Sequence, residues 1–148
     1  MQALARAMTF GWAKRHPLFA TSVGLTERDG DLDSPSAAAN AADLAQIRSW
    51  ERALGAIPAG SALVDRDDAR LLRAQLVSME RVYTEYRPYE KDYSAPAQAI
   101  VSTLFTQFVH LPTGDTEAEN AERSTAWRKS VERMQKAPAY IRTGQGLV

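Results

Sequence analysis

The sequence contains no cysteine. That excludes disulfides and thiolate-held metals and leaves the compartment open, because exported bacterial proteins often lack cysteine as well. No apolar run approaches the roughly 20 residues of a bilayer span, so a membrane helix is not expected. Residues 1–10 lack both the charged start and the long apolar centre of a signal peptide. The chain therefore reads as cytoplasmic as written, or as exported with its leader removed. An excess of either charge is missing too, since 18 Lys and Arg face 18 Asp and Glu. Without a field of one sign, nucleic acid and an anionic membrane surface have no electrostatic footing. The eight glycines are scattered and none sits in a strand-to-helix turn, which removes the phosphate-binding loops. Strand-like alternation is absent at any useful length, and so is an internal repeat.

What is present suits a packed helical protein. The 148 residues fall within the usual span of one domain, and 45% apolar with 24% charged residues is an ordinary globular balance. The expectation is one helical domain or domain fragment over 1–148, all-α, built as an antiparallel bundle of about five to six helices. Residues 2–14 read as a first helix that must stop near His16, because the residue before Pro17 is pushed out of helical geometry. A short helical turn over 17–23 follows, with Gly24 able to take the left-handed conformation that closes it. After a polar stretch over 26–34, Ser34 reads as an N-cap and Pro35 as the first helical residue of a second helix running to about Leu54. Its inward positions would be Ala37, Ala41, Leu44, Ile47 and Leu54, with Trp50 on the flank.

Pro58, Gly60 and Ser61 predict a loop, and Asp65, Asp67 and Asp68 then put negative charge at the start of a third helix. There Ala69, Leu72, Leu76, Met79, Tyr83 and Tyr86 recur at steps of three and four, the strongest periodic signal in the chain. That helix should end before Pro88. Ser94 and Pro96 repeat the cap signature for a fourth helix, whose Ile100, Val101, Leu104, Phe105 and Phe108 span a wide apolar face and make it the expected most buried element. Pro112 and Gly114 break the chain, and Asp115 or Thr116 caps a fifth helix. Its acidic residues come early and its basic ones late, as the helix dipole prefers. Trp127, Val131 and Met134 are its apolar stripe, with Asn120 and Ser124 on the same face upstream. Pro138 predicts a break or a new first turn, and the chain stops at Leu147 and Val148 in what reads as a further segment.

Candidate chemistry is sparse. Asp29, Asp31 and Asp33 have the alternate spacing that begins a calcium loop, but Ser34 stands where such a loop needs glycine and Asn40 where it needs a bidentate glutamate. A polar turn before a helix is the better reading. His16 and His110 are the only histidines, and neither has a second histidine one helical turn away or a following glutamate, so no zinc-peptidase set can be assembled. Each reads as a polar residue near a helix C-terminus. Between Arg81 and Tyr93, four tyrosines (Tyr83, Tyr86, Tyr89, Tyr93) alternate with Arg81, Arg87 and Lys91, a base-stacking pattern whose charge is cancelled by Glu85, Glu90 and Asp92. Core or interface packing is the reading for these tyrosines. No serine has a nucleophile elbow around it, and no catalytic, cofactor-binding or metal-ligating residue is assigned.

The runs Pro17-Leu-Phe-Ala-Thr-Ser-Val-Gly24, Asp29-Gly-Asp-Leu-Asp-Ser-Pro35 and Asp65-Arg-Asp-Asp-Ala-Arg-Leu-Leu72, in that order, resemble the N-terminal part of the bacterial family known as domain of unknown function 885. Tyr86-Arg-Pro-Tyr-Glu-Lys-Asp92 and Phe108-Val-His-Leu-Pro112 fit one branch of it. Members look like zinc metallopeptidases, with a His-Glu pair and a nearby Gly-His far downstream, and nothing here matches that motif. The resemblance implies that the chain corresponds to the helical N-terminal quarter or so of a larger helical protein. The zinc and the hydrolysis would then belong to the C-terminal portion, and the partner of this chain would be that portion. On this reading the chain is structural or helps to wall a cleft, with Asn120 and Ser124 facing it. The alternative is a self-standing helical interaction module, dimeric through exposed apolar faces.

Overall fold

The computed structural model describes residues 2–58 and 63–147. The chain forms α1 (Gln2–Arg15), α2 (Pro17–Ser22), α3 (Ala37–Gly55), α4 (Leu63–Arg81), α5 (Pro88–Lys91), α6 (Ala95–Val109) and α7 (Glu117–Gln145). No strand occurs among the described residues, and the architecture is an all-α helical bundle. Helices α3 and α4 pair antiparallel, so that Arg48 meets Glu80 and Asp43 meets Tyr83. A second antiparallel pair is α6 with α7, where Pro96 lies beside Gly144 and Phe108 beside Trp127. The expected loop at Gly60 and Ser61 lies outside the described residues.

Local signals set the element ends, though not always through the expected residue. Gly24 takes φ 79° just beyond α2, as its position predicts. The N-cap of α3 is Ser36, not Ser34: its extended backbone puts its hydroxyl 3.2 Å from the Ala39 amide, and Pro35 precedes the cap. Ser94 stands at the start of α6 without capping it, because its backbone is already helical and its own amide and hydroxyl donate to Asp92 Oδ1. Thr116 caps α7 in a reciprocal box with Glu119, whose carboxyl is held below its usual range by the Thr116 hydroxyl. Between α4 and Pro88 the backbone widens over Val82–Tyr86, where the Arg87 amide reaches back five residues to the Val82 carbonyl. Arg87 then takes φ 47°, since the residue before a proline is kept out of the right-handed helical region. Pro138 neither breaks nor restarts α7, which runs through it.

The apolar core belongs to one half of the molecule. Met8 of α1, Ile47, Trp50 and Leu54 of α3 and Leu76 of α4 are buried together, with Leu4, Trp12, Leu72, Met79 and Tyr83 packed around them. The repeat read on α4 predicts this face, except that Tyr86 is exposed. On α3 the inward stripe is Asp43, Ile47, Trp50 and Leu54, whereas Ala37 and Ala41 face outward. The wide apolar face of α6 divides: Pro96, Ile100, Thr103 and Gln107 turn inward, while Val101, Phe105, Phe108 and Val109 are exposed. Helix α6 still buries a larger share of its residues than any other long helix described, but the buried side is not the one that carries most of its large apolar side chains. On α7 the expected stripe of Trp127, Val131 and Met134 also faces out, and the buried residues are Ser130, Arg133 and Gly144. Small residues allow the helices of this half to approach closely. A Cβ on Gly144 would come within 2.5 Å of Pro96 Cγ, so the crossing requires glycine.

Candidate functional site

The acidic run 29–33 builds a joint. Its three carboxylates diverge to different partners, which is the polar-turn reading and not a calcium cage. Asp29 accepts from the Thr21 hydroxyl at 2.6 Å, Asp31 from Lys136 and Arg28, and Asp33 from the Leu18 amide at 2.9 Å. Lys136 chiefly holds the Asp31 carboxyl below its usual range. Three cations spaced by four and three on α7 grip this turn. Lys129 Nζ donates to the Thr26 and Glu27 carbonyls, and Lys136 Nζ to the Gly30 carbonyl. Between them Arg133, fully buried, donates from Nε to the Asp31 carbonyl and from Nη2 to Thr21 Oγ1 and the Arg28 carbonyl. Burial lowers the guanidinium pKa while Asp29, Asp33 and Asp31 oppose that shift, and the side chain stays cationic.

A second cluster surrounds His16. Its Nδ1 lies 3.2 Å from Asp33 Oδ2 and its Nε2 3.2 Å from Asp43 Oδ2, the latter at ion-pair distance but off the hydrogen-bond direction. The ring stacks on Trp12 with centroids 3.9 Å apart. Burial alone would lower its pKa, but the hydrogen bond to Asp33 and the nearby charges of Asp43 and Asp33 outweigh it and raise the value to about 9. His16 is thus an imidazolium at neutral pH, inside the fold and not at an open helix end. Asp43, 3% exposed, also contacts Arg15 at 2.5 Å and accepts from the Tyr83 hydroxyl. Burial, then Asp43, pushes the Tyr83 phenol above its usual range. The cluster pins the α1–α2 corner to α3 and α4. With both ring nitrogens against carboxylates, it has no free base to offer a substrate.

The remaining sequence candidates scatter. His110 caps α6, its Nδ1 2.8 Å from the Thr106 carbonyl. Tyr83 and Tyr89 pack together at 5.8 Å, and the Tyr89 hydroxyl donates to the Tyr83 carbonyl, whereas Tyr86 and Tyr93 are exposed. Asn120 and Ser124 are exposed and bond back into their own helix start, to the carbonyls of Asp115 and Asn120. Among the described residues no group of three His, Cys, Asp or Glu side chains converges as a metal site, and no helix is long and apolar enough to cross a membrane. The residues missed in the sequence are Asp43, Gln107 and Arg133. Their signal was a polar side chain in step with buried neighbours: Asp43 with Ile47 and Trp50, Gln107 with Ile100 and Thr103, Arg133 with Ser130.

Among the concavities and surfaces, two pockets and one exposed apolar face bear on function. Trp12, Trp50, Leu72, Met79 and Tyr83 line an apolar trough of about 440 Å³ across α1, α3 and α4. A cavity of about 270 Å³, with a mostly apolar lining and a few polar groups, lies between the turn after α2 and the facing parts of α6 and α7, with Asp29 and Gln107 in its wall. On the outside of α6 and α7, Val101, Phe105 and Phe108 run beside Met134, Val131 and Trp127, in the antiparallel register set by the Phe108–Trp127 ring contact at 4.9 Å. Phe105 is 68% and Val101 67% exposed, and Trp127 48%. No family model matches this sequence, and no curated protein or solved structure matches it either.

Proposed function

We propose that this chain is a helical scaffold whose α6–α7 face is covered by a second protein body, and that the body is the C-terminal portion of a longer protein of the domain of unknown function 885 type. The observation that carries the reading is the ladder of six apolar side chains on the outside of α6 and α7. They leave on the order of 500 Å² of apolar surface bare, at the upper end for a monomer with nothing to bind. The resemblance adds support, because the Pro17–Gly24 and Asp29–Pro35 runs that carry it supply Thr21, Asp29, Asp31 and Asp33 to the joint gripped by α7. On this reading the chain orients the partner body, and zinc and hydrolysis reside there.

The test is hydrolysis of a mixed peptide library by the purified chain, with and without zinc, beside a full-length member of that family. Silence from this chain and cleavage by the longer protein is the expected pair of results. Zinc-dependent turnover by this chain alone would overturn the reading. A self-standing module that dimerises is the second reading. It is favoured by the same face, whose antiparallel two-helix form can pack against its own copy about a two-fold axis.

A further inference from the structure

The cavity beside the Asp29 turn is independent of the exposed α6–α7 face, and the hydrogen-bonding inventory of its few polar groups is lopsided. Gln107, 5% exposed, donates its Nε2 to the Asp29 carbonyl at 3.1 Å. That carbonyl can only accept, so the amide orientation is settled and the acceptor Oε1 is left buried without a partner. An unpaired buried acceptor is costly and calls for a donor. Asp29 accepts from Thr21 on Oδ1, and Oδ2 takes no donor among the described residues. Glu122, exposed at the cavity rim, has no cation at ion-pair distance among them. His110 at the cavity rim directs its Nδ1 at the Thr106 carbonyl, 2.8 Å away.

Of the cationic donors nearby, Lys129 and Arg133 make their hydrogen bonds to other groups, and Arg133 keeps one buried N–H, on Nη1, without a partner. Lys129 reaches the cavity wall, but its ammonium is bound to the Thr26 and Glu27 carbonyls. Arg133 supports Asp29 through Thr21. The cavity thus presents free acceptors and a carboxylate at its rim, with Leu111, Pro112 and Ala126 as its apolar wall. Its volume of about 270 Å³ falls just below the roughly 300 to 1,000 Å³ of drug-sized ligand pockets, which suits a smaller molecule. We propose that this cavity binds a small organic cation, an alkylammonium or alkylguanidinium, whose N–H groups reach Gln107 Oε1, Asp29 and Glu122 while its alkyl part lies on the Leu111–Pro112 wall. No covalent step is involved.

The test uses the whole chain labelled with nitrogen-15 and titrated at constant pH and ionic strength with n-butylamine or butylguanidine. Sodium butyrate and 1-butanol serve as controls. The expected result is saturable displacement of the Gln107 side-chain amide and the Asp29 and Glu122 backbone amides by the two cations only, with a dissociation constant on the order of millimolar. Glu122→Gln, a change at an exposed position, should weaken binding about tenfold while the rest of the spectrum stays in place. The proposal is overturned by shifts that do not saturate, by equal shifts from butyrate or butanol, or by unchanged affinity in the Glu122→Gln chain.

Discussion

Two charged side chains inside the bundle have measurable consequences. His16 is protonated in the native state with a pKa near 9, against about 6.5 in an unfolded chain. A raised folded-state pKa contributes stability that is fully present below the unfolded value and is lost as pH rises through the folded one. Native stability should therefore fall between about pH 6.5 and 9, by at most ~3 kcal/mol before solvent screening is allowed for. His16→Gln should flatten that dependence in urea melts taken across the window. A wild-type chain equally stable at pH 6 and pH 9 would show that the Asp33 and Asp43 contacts do not hold the proton. For Arg133, replacement by methionine keeps much of the volume but strands the Asp31 and Arg28 carbonyls. A loss of about 3 kcal/mol or more is expected in the same melts, and a loss under ~1 kcal/mol would mean that water replaces the fork. Neither role was legible in the sequence. A lone charge on a helix reads as solvent-facing until the partner segment is known, and Arg133 meets its partners across more than 100 residues.

At the scale of elements the sequence was far more legible, because prolines and period-3.6 apolar repeats act locally. The stretches 2–14, 17–23 and the α4 repeat came out close to the helices found. Caps were read less well: serine at 34, 36 and 94 offers the same chemistry, and backbone dihedrals alone decide which one bonds an amide. Faces were misread where a helix is apolar on two sides. On α6 and α7 the side that turned inward carries the close Pro96–Gly144 crossing and polar side chains such as Gln107 and Arg133, while the large aromatic residues face out. Pro138 gives an element-scale prediction. It sits in the interior of α7, where it cannot donate to the preceding turn. Pro138→Ala should stabilise the chain by about 1 to 3 kcal/mol, the helical gain being partly offset by a looser unfolded chain. A melting temperature that is unchanged or lower would indicate that α7 is already distorted to accommodate the ring.

At the scale of the molecule, an apolar half made by α1, α3 and α4 adjoins a half in which α2, α6 and α7 are joined largely by polar side chains. Helical periodicity without strand-like alternation foretold an all-α bundle but not this division, since apolar residues counted toward the core lie bare on α6 and α7. Their exposure makes the oligomeric state informative. If the chain self-associates through this face, sedimentation should give a concentration-dependent dimer that Phe105→Glu returns to monomer, with no loss of helicity. A wild-type monomer at all concentrations would remove the dimer reading and leave the face to another body. A dimer indifferent to Phe105→Glu would put the contact elsewhere.

The grip of α7 on the 26–31 turn also bears on how the chain is made. Thr21 waits 112 residues for Arg133, so the segment after α2 cannot reach its final bonds while the chain is still emerging from the ribosome. The α1–α3–α4 core can consolidate first. The turn closes last, when residues 129–136 arrive, and any product that ends before them leaves the 26–31 turn without its latch.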